Sequence, residues 1–386
     1  MVTLFLLKKF KQLMTHNYFQ GCHMWKIILL ALCLIISKIS YASNLPIQLL
    51  KLPPHFSISI YAFPVPDARQ MALGPNNIIF VGTREKGKVY ALIPNKNHTE
   101  ASVITIASDL NMPNGVAYRD NNLYIVDVDR ILIFKNIIQN LNHPTNPIII
   151  KNILPSDTHH GWRYIKFGPD GKLYVGVGAP CNNCLRDDAR FASIVRMDSD
   201  GSHQEVYAHG VRNTVGFDWD PTNQQLWFSD NGRDWMGDNT PPDELNHAIK
   251  ANLHFGFPYC HGKNISDPEF GKKFPCSSFV APTLELSPHA ASLGMIFYKG
   301  NLFPKKYQNQ IFIAQHGSWN RSTKIGYDVI NVKRNGKELS SNIFISGWLQ
   351  KDKPWGRPVD ILEMNDGSLL ISDDYAGVVY RVFYSN

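Results

Sequence analysis

Long apolar runs are absent from this 386-residue chain. The longest, Ile27–Ile36, has ten residues, half of the roughly 20 that cross a bilayer as a helix. Apolar residues at helical period are scarce beyond residue 50, which argues against a helical bundle. Acidic residues are missing from the first 43 positions, which carry five lysines (Lys8, Lys9, Lys11, Lys26 and Lys38). Without that stretch the formal net charge of +7 falls to 34 basic against 32 acidic residues. The remainder has no basic footprint for nucleic acid. Cysteine is sparse as well. Cys181-Asn-Asn-Cys184 is the one CxxC pair, and a zinc site would need a second close pair of soft ligands.

What the N-terminal region does hold reads as an export signal. A lysine, a short apolar core and small residues at Ser40 and Ala42 follow Met24, so residues 24–42 are expected to be a cleaved signal peptide. An uncleaved anchor is the alternative. Residues 1–23 read as an upstream extension, with Met24 as an alternative start. Export would leave four cysteines, and an even count in an oxidising compartment implies two disulfides. The expected pairs are Cys181 with Cys184 and Cys260 with Cys276. The expected location is periplasmic or secreted, with no membrane span after cleavage.

From residue 50 onward one unit recurs. It is a strand, a turn of the type Gly-Pro-Asp-Gly, a second strand ending in Gly or Asp, and a third strand. Ile165-Lys-Phe-Gly-Pro-Asp-Gly-Lys-Leu-Tyr-Val-Gly176 is the clearest copy. Its turns fall near Asn76, Asn121, Asp170, Thr222, Tyr307 and Asp366, and the first three gaps are 45, 49 and 52 residues. Periods of about 40–50 residues with several strands each mark propeller blades. The expected fold is all-β, a six-bladed β-propeller over residues 50–385, with an insertion at about 232–290.

Polar residues recur at one phase of this unit. Arg69, Asn114 and Arg163 each stand seven residues before their turn, Arg212 and Asn213 ten and nine before theirs, and Arg357 nine before the last. His159 and His160 lie just upstream of Arg163, and His289 precedes the fifth blade's first strand. Loops at a propeller mouth converge on a shared concave site. Arginines there suit an anionic ligand, and a histidine supplies a base that titrates near neutral pH. The segment from Asp230 to Asn246 is dense in hard oxygen ligands, Asp243 and Glu244 among them, of the kind calcium prefers.

Four pieces are the most specific: His159-His-Gly-Trp-Arg-Tyr-Ile-Lys-Phe-Gly-Pro-Asp-Gly171, Gly210-Val-Arg-Asn-Thr-Val-Gly216, Asp243-Glu-Leu-Asn246 with His254-Phe-Gly-Phe-Pro258, and Trp355-Gly-Arg-Pro-Val-Asp360. Together they resemble the glucose/sorbosone dehydrogenase family, which uses pyrroloquinoline quinone (PQQ). Ala179-Pro-Cys-Asn-Asn-Cys184 points to its sorbosone-dehydrogenase-like branch. The resemblance implies His160 as general base, with His159 as the alternative because the spacing to Arg163 is one residue short. It implies Arg212 and Asn213 beside the reactive quinone carbonyl. It implies cofactor contacts from Arg69, His159, Arg163, Asn231, His316, Trp319, Asn320, Arg321 and Arg357. It also implies a calcium ion on carbonyls near Asn231, Gly232 and Arg233, and a second held by Asp243, Glu244 and Phe255.

The function expected on this basis is oxidation of a sugar or sugar-derived alcohol or aldehyde, with electrons leaving to an external acceptor. Two other classes remain open. A calcium-dependent lactonase would gather acid and amide ligands in the channel, and a non-catalytic propeller would bind glycan or protein.

Overall fold

Strands form where β-branched and aromatic residues run between Gly, Pro, Asn and Asp turns. The computed structural model describes residues 45–336 and 338–385. Over them the chain is all-β, with only short 3-10 segments besides its strands. Six antiparallel four-stranded blades follow one another. Their innermost strands are Met71–Leu73, Gly115–Arg119, Ile165–Phe167, Phe217–Trp219, Ser292–Phe297 and Pro358–Glu363. These are the first strands of the six copies read from the sequence. The hairpins after them turn at residues with positive φ, such as Asn121 at 62° and Gly171 at 81°, where Asn and Gly carry little steric cost.

The ring closes by a strand from the far end of the chain. Phe56–Ala62 forms the outer edge of blade six, antiparallel to Val378–Tyr384, with Phe56 opposite Tyr384 and Ile58 opposite Val382. Closure removes two open sheet edges at once. A single parallel contact, Ala62 with Ala101, ties this blade to blade one.

The core lies in layers between blades rather than at the axis. Phe80 and Val89 of blade one meet Leu123 and Leu132 of blade two. Tyr174 and Ile194 of blade three meet Phe217, Trp219 and Phe228 of blade four. Blades approach closely near the channel. A Cβ on Gly216 would lie 2.2 Å from the Leu293 carbonyl oxygen, and one on Gly294 2.6 Å from Asp360 Cα, so neither position has room for a side chain.

The excursion in blade four is narrower than 232–290. Asp243–Ala248 and Leu284–Leu286, both inside that range, are the blade's third and fourth strands. The chain leaves the blade in two loops, residues 231–242 before the third strand and residues 249–283 between the third and fourth, and Leu253–His254 in the second adds a fifth, parallel strand to blade three. Both expected disulfides are present, Cys181–Cys184 and Cys260–Cys276. The signal segment 24–42 and residues 1–23 lie outside the described residues. Among the described residues no helix is long and apolar enough to cross a membrane.

Phe56 begins the closing strand, and its ring meets Phe303, Phe344, Tyr384 and Tyr307 at centroid distances of 4.7, 5.0, 5.0 and 5.4 Å. Phe56→Ala should lower unfolding free energy by about 2–3 kcal/mol, at the low end for phenylalanine because the ring is half-buried. Urea denaturation measures it, and a loss under ~1 kcal/mol would mean that closure does not depend on this cluster.

Candidate active site

Each rim residue is set by the strand it precedes, and buried carboxylates fix several of them. Asp230, at the end of a second strand, accepts from the backbone N–H groups of Arg212 and Asn213 at 2.8 and 2.6 Å. Asp373 takes the same position in blade six and accepts from Arg357 N at 2.9 Å. Strand-ending aspartates thus hold the entry of their neighbouring inner strand.

His160 is buried and has a positive φ of 50°, an uncommon conformation that often marks functional positions. Its Nδ1 lies 2.8 Å from the Ala179 carbonyl oxygen. A carbonyl only accepts, so Nδ1 carries the proton and Nε2 has a free lone pair. Burial, then the Arg212 charge and His159, push its pKa well below the ordinary 6.5, so the ring is neutral at neutral pH. His159 is exposed and packs edge-on at 4.2 Å. Gly178 lets the pieces converge, since a Cβ there would lie 2.5 Å from His160 Cβ and 3.1 Å from Asn213 Oδ1. The expected trio of His160, Arg212 and Asn213 therefore comes together. Arg163 does not offer a ligand-facing guanidinium. It is fully buried and donates to the carbonyls of Val128, His160 and Pro155 at 3.0, 3.1 and 2.8 Å, which holds the histidine turn from behind.

Arg212 is buried and densely bonded. Nε donates to the Asn182 carbonyl at 2.9 Å and Nη1 to the Asn231 carbonyl at 3.2 Å. Nη2 donates to Asn182 Oδ1 at 2.9 Å and Asp234 Oδ2 at 3.1 Å. Asn182 lies inside the Cys181–Cys184 disulfide, so the bridge shapes the loop that holds the arginine. Asp234 also accepts from Asn320 Nδ2 at 3.0 Å. Arg321 donates to the Asp238 carbonyl and Ser322 to the Asp238 carboxylate. Arg321 therefore stitches the blade-four and blade-five loops together. Trp235 and Trp319, 71% and 66% exposed, stand edge-to-face at 5.3 Å on these two loops.

A second polar centre joins three expected cofactor contacts through a residue that the sequence pattern did not single out. Asp374 accepts from Arg69 Nη1 at 3.0 Å, from His316 Nε2 at 3.0 Å and from Arg357 Nε at 3.1 Å. Tyr375 lies under the Arg357 guanidinium at 5.4 Å. Arg69 Nε also donates to Asn114 Oδ1 at 3.0 Å, and Asn114 Nδ2 to the Arg163 carbonyl at 2.7 Å.

The two expected calcium positions share one small pocket. Asn231, Gly232, Glu244 and Phe255 line it together with Asp230, Arg212 and His261, and its volume is about 10 Å³, roughly the space of one ion or water. Burial pushes Asp230 up to about 7 and Glu244 up to about 8, a cost that a cation would relieve. Hard carboxylate and carbonyl oxygens suit calcium. Asp243 faces elsewhere, accepting from Gly232 N and Ser292 N, and Arg233 pairs with Asp267. Among the described residues no three His, Cys, Asp or Glu side chains group around one ion, so a cation here would draw on carbonyls.

Residues 146–318 match the family model Glucose / Sorbosone dehydrogenase. That segment carries the sequence pattern of the glucose/sorbosone dehydrogenase family. An uncharacterised protein of Borreliella burgdorferi is 37% identical over 385 residues, spanning 96% of this chain and 98% of that protein. Among solved structures, a Trichoderma reesei enzyme of Carbohydrate-Active Enzymes Family AA12 superposes with a TM-score of 0.75 at 18% identity, covering 87% of this chain and 98% of that one. The holo form of the pyranose dehydrogenase PQQ domain from Coprinopsis cinerea gives 0.72 at 18% identity, covering 86% and 97%. These structural likenesses carry the propeller fold, which agrees with the six blades.

Asn182→Ala removes one of the acceptors of a buried guanidinium and should cost about 1–3 kcal/mol of stability. Urea denaturation checks this. A change within about 0.5 kcal/mol, as at an ordinary surface position, would mean that the disulfide loop does not hold Arg212.

Proposed function

We propose that this chain is a PQQ-dependent oxidoreductase that oxidises a sugar or a sugar-derived alcohol or aldehyde, in the manner of sorbosone and aldose dehydrogenases. Family and fold support an oxidoreductase of the sugar-dehydrogenase type. The observation that carries the reading is a buried, neutral His160 with a free Nε2, beside Arg212 and Asn213 on one propeller rim.

The pocket residues fit the cofactor class. Arg69 and Arg357 carry donors that suit carboxylates, and Trp319 with Trp235 gives exposed aromatic faces for a planar ring. Asn320 Oδ1 and Arg233 Nε are buried without a hydrogen-bond partner, which leaves polar capacity on the same loops. Asp230 and Glu244, with carbonyls of Asn231, Gly232 and Phe255, would hold calcium. When bound, the quinone supplies the acceptor for a hydride, and calcium polarises it as a Lewis acid.

The chain's own residues do the rest. His160 takes the substrate hydroxyl proton on Nε2 while its Nδ1–H stays on the Ala179 carbonyl, which fixes the ring's orientation. The substrate thereby loses one proton and one hydride, and its C–O bond becomes a carbonyl. Arg212, held on four acceptors, presents a fixed positive charge where negative charge develops, so little reorganisation is needed. An external acceptor then removes the electrons. The two disulfides suit an oxidising compartment, in keeping with export through residues 24–42.

Purified apoprotein given PQQ and calcium should reduce a dye in the presence of one or more aldoses or sorbosone, and absence of both a quinone spectrum and turnover would sink the reading. His160→Ala should abolish turnover while the quinone spectrum persists, and full activity would move the base to His159. A base works unprotonated, and burial and Arg212 depress the pKa of His160. The acid limb of kcat/KM should therefore lie below pH 6.5, with activity lost as pH falls through it; a limb at or above 6.5 contradicts this assignment. Calcium at about 100 times its Kd should stabilise the apoprotein by about 2.7 kcal/mol, and Glu244→Gln should remove that gain in thermal melts.

A further inference from the structure

The rim that we read as a carboxylate pocket already contains a carboxylate. The Asp374 side chain is buried, and its two oxygens lie within 3.0–3.1 Å of Arg69 Nη1, His316 Nε2, and Arg357 Nε and Nη2. Burial would raise its pKa, but the hydrogen bond from His316 and the charges and hydrogen bonds of Arg69 and Arg357 hold it far below the usual carboxylate range. It is therefore ionised at every working pH. His316 has its pKa lowered, by burial above all, so it donates as a neutral ring. The cluster then holds two guanidinium charges against one carboxylate.

The arrangement is not closed. Among the described residues, Arg69 Nη2 and Arg357 Nη1 make neither a hydrogen bond nor an ion pair, whereas Arg69 Nε and Nη1 and Arg357 Nε donate and Arg357 Nη2 pairs with Asp374. Arg357 is also about one-third exposed and lies over the Tyr375 ring. Two donor edges thus remain, one on the one-third-exposed Arg357 and one on Arg69, whose side chain is 2% exposed, at a place where a fixed negative charge already sits. That charge does two opposing things. It orients the arginines before a ligand arrives, which lowers the ordering cost. It also repels each ligand carboxylate in a site of low dielectric.

We propose that Asp374 is the specificity-setting residue of this pocket, an internal counter-ion that shares Arg69 and Arg357 with the ligand's carboxylate and weakens the hold on polycarboxylates. The proposal rests on the anion-site reading above, though not on the quinone or on catalysis. Its signature is a dependence on ligand charge. Each added carboxylate on a planar aromatic ligand should gain less affinity in the native protein than in one lacking the Asp374 charge.

Calorimetric titration with benzoate, phthalate and benzene-1,3,5-tricarboxylate tests this on the full-length protein and on Asp374→Asn, which keeps the size and one acceptor oxygen. The variant should bind the tricarboxylate about tenfold or more tightly than the native protein, as removal of a close like charge implies. That gain should shrink stepwise from three charges to one and fall with added salt. Equal or weaker binding by a folded variant, or a gain independent of ligand charge, would overturn the proposal. If Asp374→Asn does not fold alone, formate or the tricarboxylate should restore its cooperative melt by acting as the missing counter-ion, and failure of both overturns it too. Native protein that takes the tricarboxylate but never PQQ would sink the functional reading and leave this one standing.

Discussion

The strand pair Phe56–Ala62 and Val378–Tyr384 is the constraint on which the rest depends. Each blade buries its faces only against the next, so an open ring would leave two apolar faces in water. Closure also sets where the loops point. The residues before each inner strand meet only because six blades complete one circle. Arg69 of the first blade and Asp374 of the last are 305 positions apart in sequence and 3.0 Å apart in space. Their contact exists because the ring is closed.

Around that closed mouth the protein buries charge in a consistent way. Carboxylates at the ends of second strands hold the backbone of neighbouring inner strands, as Asp230 does for Arg212 and Asn213, and Asp373 for Arg357. The guanidiniums of Arg69, Arg163 and Arg212 in turn rest on carbonyls, amides and carboxylates rather than on solvent. A buried charge left unpaired is costly, so such a rim stays in one arrangement. Rigidity of this kind suits a site that must hold donors in place before a ligand arrives.

The sequence carried most of the fold. The Gly-Pro-Asp-Gly turns and their spacing predicted six blades because a blade is a local unit whose turns need special φ values. The polar phase before each inner strand was legible for the same reason, and it led to His160, Arg212, Asn213 and Arg357. The partners were less legible. Asp374 follows a strand that was read as ending at Asp373, and its role depends on Arg69 and His316 from two other blades as well as on Arg357 of its own. Asn182 was read only as part of the Ala179–Cys184 motif, with no contact of its own. Arg163 matched the phase of a ligand contact, yet its guanidinium turned to three carbonyls. That choice is set by packing between neighbouring loops, which periodicity does not encode. The insertion was overdrawn because Asp243–Ala248, rich in polar residues, does not show the apolar alternation of a strand. It is buried on both faces and satisfied by its neighbours.

One chain of contacts runs from blade to blade beneath the mouth. Asp374 meets Arg69, Arg69 meets Asn114, Asn114 meets the carbonyl of Arg163, and Arg163 meets the carbonyl of His160. It works like an arc of a barrel's hoop, tying blades six, one, two and three. Change at Trp235, Trp319 or Tyr375 can alter what the mouth admits without loosening the hoop. Change within the hoop would be felt by every blade it crosses. A lineage of such proteins can therefore diversify what it admits by exchanging loop tips, while the floor beneath them stays the same.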